Sequence, residues 1–306
     1  MRVVAALGGN ALQPRGETAT AALRQRHVEA AARAMAALAQ EHRLVVTHGN
    51  GPQVGMLALA TTAAGAEKLD VLVAESQGMI GYLLAAALGA ALPGRDIASV
   101  LTRVEVDAAD PAFAAPSKPI GPLYGEAEAR RLAAERSWTV MRDGDAFRRA
   151  VASPVPLRIC ELNSIRLLVE AGAIVICAGG GGIPVTVAPD GSRRGIEAVI
   201  DKDLTAALLA EHLTADALLL LTDVPAVATD WGKVHSRWIA RATPQELRNF
   251  RFAAGSMGPK VAAACRFVER TGRMAAIGAL DEAALVLAGA AGTLIRDGGQ
   301  GVAYHA

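Results

Sequence analysis

The sequence predicts an α/β protein: a mainly parallel sheet with helices on both faces, interrupted by a small protruding subdomain. Three observations carry this. Short apolar runs alternate with helical stretches along the chain, the pattern of strands joined by crossover helices. Glycine clusters follow three of those runs, at Gly8-Gly9-Asn10, Gly49-Asn50-Gly51 and Gly179–Gly182. One segment, roughly residues 104–157, departs from the alternation in composition.

Val3–Leu7 reads as a strand that begins almost at once. Ala21–Gln40 places Leu23, Val28, Ala31, Met35 and Leu38 at helical spacing. Leu44–Thr47 is a second strand, followed by a glycine-rich turn, and Leu69–Leu92 reads as a mostly buried helix. Ile97–Leu101 is a further strand. Four of the 14 prolines then fall between Pro111 and Pro122, and Glu126–Arg149 holds 11 charged residues in 24. Loops this long are uncommon in compact domains unless they have a task. Residues 104–157 are therefore expected to form a lid or protruding subdomain inserted in a single domain, 1–306. Ala173–Ala178, Ala217–Thr222 and Met274–Ile277 complete the series, each a short apolar run beside a helical segment.

Composition narrows the function classes. The chain has 306 residues, 52% hydrophobic and 20% charged, with a formal net charge of +1. Such a balance exerts no general pull toward nucleic acid or an anionic membrane. Three cysteines, far apart and without a CxxC pair, fit neither a disulfide framework nor a metal knuckle. They suit a reducing compartment. MRVVAALGGN has too short an apolar run for a signal peptide. The long uncharged stretches are broken by polar or glycine turns, as in buried core rather than bilayer spans. A cytoplasmic protein is expected, bound neither to nucleic acid nor to membrane.

In an α/β sheet, ligands collect at the carboxyl ends of strands. Glycine there lets backbone N–H groups approach an anion, and a following helix adds its positive end. Three glycine clusters in a strand-to-helix context point to anion binding, with Gly180 and Gly181 at the centre of the third. Familiar templates do not fit. HGNGPQVG puts its third glycine at Gly55, one residue late for GxGxxG. Gly232-Lys233 is followed by Val234, so there is no Walker A loop, and no GxSxG or HExxH occurs. His48 is expected to pack or hydrogen-bond beside its turn.

The stretch EAVIDKDLTA, residues 197–206, sets Lys202 between two aspartates at an apparent helix start. Asp201 or Asp203 would cap that helix, with Lys202 in water. Two further lysines stand beside prolines in turn-like contexts: Lys118 in PSKPIGPLYG and Lys260 in GSMGPKV, where Pro259 would occupy the first helical position. Singly, each reads as a solvated charge. Together with the glycine turns they suggest a polyphosphate site, where phosphoryl transfer needs positioning and cations more than covalent chemistry. Asp203 would then orient lysine side chains rather than act as a base.

GGNAL, THGNGPQVG, AESQGMIGYLL, SKPIGPLY, CAGGGGIPV, EAVIDKDL, LTDV and FAAGSMGPK occur in that order, from about Val3 to Val268. In motifs, order and spacing the sequence resembles the carbamate kinases of the amino acid kinase superfamily. The resemblance implies a three-layer αβα sandwich with an open, mostly parallel sheet, a small protruding subdomain and a homodimer. It implies reversible phosphoryl transfer between ATP and carbamate, giving carbamoyl phosphate and ADP, often run toward ATP. Mg²⁺ would arrive held by the nucleotide phosphates and water, with no protein side chain as ligand. Carried over motif by motif, Gly8, Gly9 and Asn10 would hold the transferred phosphoryl group. Gly49, Asn50 and Gly51 would meet the carbamoyl end. Lys202 and Lys260 would bind nucleotide phosphates, Asp203 would align them, and Lys118 would reach in from the subdomain. Thr222, Asp223, Val224 and Met257 would border the nucleotide.

The resemblance is not complete. Ala152 stands where the family usually has proline near the end of the subdomain, and Ala262 where it often has glutamate. Neither touches a lysine. Two other readings would use the same inventory: a kinase of the superfamily acting on another small acid, or a nucleotide-binding regulator without turnover.

Overall fold

The computed structural model describes residues 1–9, 20–60, 67–253, 255–299 and 301–305. The chain opens with β1 (Arg2–Leu7), α1 (Ala21–Glu41), β2 (Arg43–His48), α2 (Gly51–Ala60), α3 (Leu69–Ala91) and β3 (Ile97–Val100). The middle contains β4 (Arg103–Glu105), β5 (Lys118–Tyr124), α4 (Glu126–Arg136), β6 (Thr139–Asp143), β7 (Ala146–Val151) and β8 (Arg158–Ile159). Next come α5 (Leu162–Glu170), β9 (Ile174–Cys177), β10 (Ile183–Val187), β11 (Arg193–Gly195), α6 (Lys202–His212) and β12 (Ala217–Thr222). The remainder is β13 (Val227–Thr229), β14 (Arg237–Ala242), α7 (Pro244–Leu247), α8 (Met257–Thr271), β15 (Met274–Ala279), α9 (Ala283–Ala288), β16 (Thr293–Ile295) and β17 (Ala303–Tyr304).

Among the described residues, ten strands form the main sheet, in the order β13-β14-β16-β15-β12-β1-β2-β9-β3 with β17 paired to β14. From β15 to β3 every neighbouring pair is parallel. The strands read as nearly unbroken apolar runs because both faces of a parallel sheet are buried. Alternation decides which helix each side chain meets. Val4, Ala6, Val45, Leu218 and Leu220 share a core with Ile165 of α5, Leu208 and Leu209 of α6, and Phe267 of α8. Val3, Ala5, Leu7, Val46 and Leu219 share the opposite core with Val28 and Met35 of α1, Ile80 and Leu84 of α3, and Val286 of α9. Helix, sheet and helix give three layers. Each fully buried aliphatic side chain contributes about 1.5–3 kcal/mol.

The six strands the sequence predicts form within a residue or two of their expected bounds, whereas β13, β14, β16 and β17 of the main sheet carry no such expectation. The expected helix 69–92 forms as α3, but less of it is buried than expected. A stripe from Leu69 to Leu88 faces inward, including Ser76, Gln77, Ile80 and Leu84, while Tyr82 stands 69% exposed. By length and composition alone α3 could cross a membrane; its inward stripe packs on the second core through Ile80, Leu84 and Leu88, and against Val54 and Ala58 of α2 through Leu69, Leu72 and Val73.

Residues 118–151 build a separate antiparallel sheet, β5-β7-β6. Its small core joins Tyr124, Ala129 and Leu132 with Trp138 and Phe147. The Arg136 and Arg149 guanidinium carbons lie 5.0 and 4.8 Å from the centroid of the Trp138 ring, within cation–π range. At the root, β4 and β8 join β10 and β11 in a four-stranded sheet. Lys118 opens strand β5 rather than lying in a turn. The strand's hydrogen bonds to β7 override the local turn signal of its prolines.

Candidate active site

The three glycine turns meet at the carboxyl ends of β1, β2 and β9. Parallel pairing brings them there: the Gly8 amide donates to the Leu221 carbonyl at 2.8 Å, and Gly49 to Leu7 at 3.0 Å. A Cβ on Gly49 would stand 2.8 Å from both Cα and N of Gly9. A Cβ on Gly180 would overlap the Asn50 amide, and one on Gly179 the His48 ring. At Gly49, Gly179 and Gly180 the turns leave no room for a side chain. Gly51 opens α2, as expected. Gly179–Gly182 does not lead into a helix; it forms a single 3-10 turn and passes into β10. Its left-handed backbone explains this. Ala178 has φ 52°, Gly180 66°, Gly181 91° and Gly182 94°, a run incompatible with a right-handed helix start. Asn10 lies outside the described residues.

Side chains from α3 and its neighbours fix these turns. Gln77 donates to the Gly179 carbonyl at 2.8 Å and accepts from the Thr102 amide at 2.9 Å. The Thr102 hydroxyl accepts from the Ala178 amide at 2.9 Å, and the Thr47 hydroxyl donates to the Ala178 carbonyl at 3.0 Å. Asn50 donates to Ser76 Oγ at 2.7 Å. Buried polar groups this fully paired are held in one arrangement.

Beside the turns stands a cation cluster. Asp201 is the cap of α6: its Oδ1 accepts from the amides of Asp203 at 2.9 Å and Leu204 at 3.3 Å. Its Oδ2 accepts from Lys118 Nζ at 2.5 Å. Asp203 does not cap the helix. Its Oδ1 pairs with Lys202, and its Oδ2 accepts from Lys260 at 2.9 Å. Lys202 does not point into water; it is 8% exposed. One turn further along α6, Thr205 Oγ1 donates to the Gly181 carbonyl at 2.8 Å, which joins the cluster to the third glycine turn. Lys260 comes from the first turn of α8. That helix begins at Met257 with Ser256 as its cap, so Pro259 is its third residue, not its first. Proline is tolerated there because first-turn amides have no helical acceptor.

Three ammonium groups therefore face two carboxylates, leaving one positive charge in excess. Burial and the neighbouring Lys260 push Lys202 down to about 8, against the pull of Asp203. Burial alone would lower Lys260 too; Asp203 outweighs it and holds that ammonium above its ordinary range. Burial would raise the Asp203 carboxyl, but Lys202 and Lys260 reverse this and keep it well below the usual carboxylate range. Burial, aided by Lys202, lowers His48 to about 4 against its bond with the Gly49 carbonyl. His48 is thus a neutral packing residue beside its turn.

Thr222 ends β12 next to Gly8, whose Cβ position lies 3.5 Å from Thr222 Cα. Its hydroxyl donates to Asp223 at 3.0 Å. Asp223 is exposed and Val224 half-buried in the loop that follows, and Met257 is half-buried three residues before Lys260. Sequence reasoning passed over Gln77, Thr102, Ser76 and Thr205, and saw Asp201 only as a possible cap. The AESQGMIGYLL motif contains the first and third of these, and Asp201, the partner of Lys118, carries no local sign of that lysine. Among the described residues no three His, Cys, Asp or Glu side chains are grouped to hold a metal ion.

A model of the family described as "Amino acid kinase family" matches residues 1–278. The carbamate kinase of Rhizobium meliloti is 51% identical over 312 residues, covering 100% of this chain and 96% of that protein. The carbamate kinase of Haemophilus influenzae is 49% identical, covering 100% of both. The solved structure of carbamate kinase from Giardia lamblia bound to AMP-PNP superposes with a TM-score of 0.87 at 37% identity, over 96% of this chain and 98% of that one.

Proposed function

The chain belongs to the amino acid kinase family, with carbamate kinases as full-length relatives, and we propose from that premise that it is a carbamate kinase. It transfers a phosphoryl group between ATP and carbamate, giving carbamoyl phosphate and ADP, in either direction. One observation carries the reading beyond likeness: Lys118, Lys202 and Lys260, from three distant segments, share the two carboxylates of a single helix start. No isolated salt bridge requires such convergence.

The chemistry follows from charge. The acceptor is an ionised carboxylate oxygen, so no general base is needed. The barrier lies in bringing that anion against a polyphosphate. Lys202 and Lys260 neutralise the nucleotide phosphates, and Asp203 holds both in place. Lys118, carried by a lid of residues 104–157, screens the moving group. The turns at Gly8-Gly9 and Gly180-Gly181, with Asn10, surround the phosphoryl oxygens, the Gly8 and Gly181 amides being tied to the Leu221 and Ala178 carbonyls, and Gly49, Asn50 and Gly51 meet the carbamate. Thr222, Asp223, Val224 and Met257 border the nucleotide. Removing one such contact costs about 10²–10³ in rate.

Both carboxylates at the helix start are engaged by lysines, which suits a Mg²⁺ ion that enters bound to nucleotide phosphates and water. When bound it would supply further positive charge against the phosphate oxygens. A cytoplasmic homodimer that binds neither membrane nor nucleic acid extends the same reading, in keeping with the net charge of +1.

The test is ATP formation by pure protein from ADP, carbamoyl phosphate and Mg²⁺. Activity well above a Lys202→Ala control is expected. Activity no higher than that control, with turnover of another acyl phosphate, would move the chain to a different acceptor. ADP binding without any turnover would make it a regulator.

A further inference from the structure

The glycine that breaks the dinucleotide pattern in HGNGPQVG has a different partner. Gly55 lies on α2, four residues after Gly51, and faces Gly121 of β5. A Cβ on Gly55 would overlap Cα and N of Gly121. Helix and strand thus touch through bare backbone. Gly121 has a second tie as well: Arg148 Nε of β7 donates to its carbonyl at 2.9 Å. Its φ is 76°, and the register of β5 against β7 shifts between Ile120 and Tyr124. The strand bulges at this point to lie on the helix.

The neighbouring residues make the contact a fixed reference point. Ile120 is fully buried in a core shared with Val54 and Ala58 of α2 and Val151 of β7. Three residues before Gly121, the same strand begins with Lys118, whose ammonium reaches Asp201. We infer that Gly55 is a positioning residue: its missing side chain sets the seat of β5 on α2, and through β5 the place of Lys118 in the site. The helix that starts at the Gly49–Gly51 turn and the strand that delivers Lys118 then move as one body. A methyl group at position 55 lifts β5 from α2 and withdraws Lys118 from Asp201. Lys202 and Lys260, carried on α6 and α8, stay where they are.

Two measurements test this, and only the second rests on the kinase reading. Lysine side chains are pulsed with acetic anhydride in the folded protein and read peptide by peptide by mass spectrometry. In Gly55→Ala, acetylation of Lys118 should rise roughly tenfold, as expected for loss of a charge-assisted hydrogen bond. It should approach the rate in Asp201→Asn, with Lys202 and Lys260 at wild-type rates. An unchanged Lys118 rate overturns the inference, and so does an equal rise at all three lysines, which would mean general loosening. Should Gly55→Ala not fold, Arg148→Ala releases the Gly121 carbonyl without filling the contact. Lys118 must again become selectively more reactive, and a wild-type rate there overturns the inference. In the second measurement, ATP formation by Gly55→Ala/Lys118→Ala should be no slower than by Lys118→Ala alone, with KM for ADP unchanged. Additive losses would show that Gly55 acts other than through Lys118.

Discussion

Lys202 and Lys260 divide one carboxylate between them: Lys202 takes Oδ1 of Asp203, and Lys260 donates to Oδ2 at 2.9 Å. Two ammonium groups nearly sealed from water would otherwise repel each other strongly. The aspartate makes their proximity tolerable and still leaves the site short of negative charge. On the carbamate kinase reading proposed above, a phosphate group supplies what is missing.

Asp203→Asn keeps the shape and removes the charge. It leaves two buried cations without compensation, a change that commonly costs about 3–5 kcal/mol. Denaturant unfolding should show a loss of that order, and ATP formation should fall about 10²–10³-fold. ADP should then stabilise the variant more than the wild type, because its phosphates replace the lost anion. Equal stabilisation by ADP in both proteins would contradict this account.

The pH dependence of nucleotide capture follows from Lys202. In the free protein this ammonium titrates at about 8, while Asp203 keeps Lys260 charged above its ordinary value. Raising the pH through about 8 strips the proton from Lys202, so kcat/KM for ADP should fall on the alkaline side with a midpoint near 8. Bound phosphate favours the charged form, so the limb in kcat should lie higher. Lys202→Arg stays charged and should abolish the limb, whatever its rate. A limb that persists in Lys202→Arg belongs to another group.

His48 gives an acid-side prediction for stability. Its folded value, about 4, lies below the ordinary 6.5, so the unfolded chain binds a proton that the native protein refuses. That contribution is fully present above pH 6.5 and is lost as pH falls toward 4. It amounts to about 3 kcal/mol at 1.36 kcal/mol per pH unit. Asp201 and Asp203, both lowered from 3.8, lose their contributions only below that window. Unfolding free energies of wild type and His48→Gln between pH 7 and 4 should therefore diverge in slope, with the variant flatter. Parallel slopes would remove His48 as the cause.

Much of this was legible in the residues, and the limits have physical reasons. Buried parallel strands are apolar throughout, so β1, β2 and β12 stand out from any local window. Glycine clusters mark strand ends because few other residues tolerate such backbone. Lys118 looked like a turn residue because Pro119 and Gly121 are turn formers. Only its pairing with Val151 of β7 makes it a strand residue, and pairing is not local. The Lys118–Asp201 bond spans 83 positions, and nothing local to either residue signals the other. The helix expected after Gly182 failed because four glycines in a row permit left-handed backbone as readily as a helix start.

Asp201 serves two partners through different oxygens, and substitutions can separate them. Asparagine retains an Oδ1 acceptor for the amides of Asp203 and Leu204, so Asp201→Asn should keep the cap of α6. Asp201→Ala should lose it, at about 0.5–2 kcal/mol. Both lose the charged partner of Lys118. Thermal unfolding should therefore rank alanine below asparagine, whereas the loss in ATP formation should be similar for the two. If activity instead follows the melting temperature, the aspartate matters for its cap alone.

Gly181 tests whether the third glycine turn and the cation cluster form one unit. Its φ of 91° strains any residue with a Cβ, and a Cβ there would strike the Ile200 carbonyl, two residues before Lys202. Its own carbonyl accepts from Thr205 on α6. Gly181→Ala should thus cost more than backbone strain, which is about 1–3 kcal/mol. It should also push α6 and lower ADP affinity, read by calorimetry. Thr205→Val removes the same link without adding strain and should weaken ADP binding in the same direction by less. A Gly181→Ala protein that loses stability but binds ADP like the wild type would show that the turn and the lysines act independently.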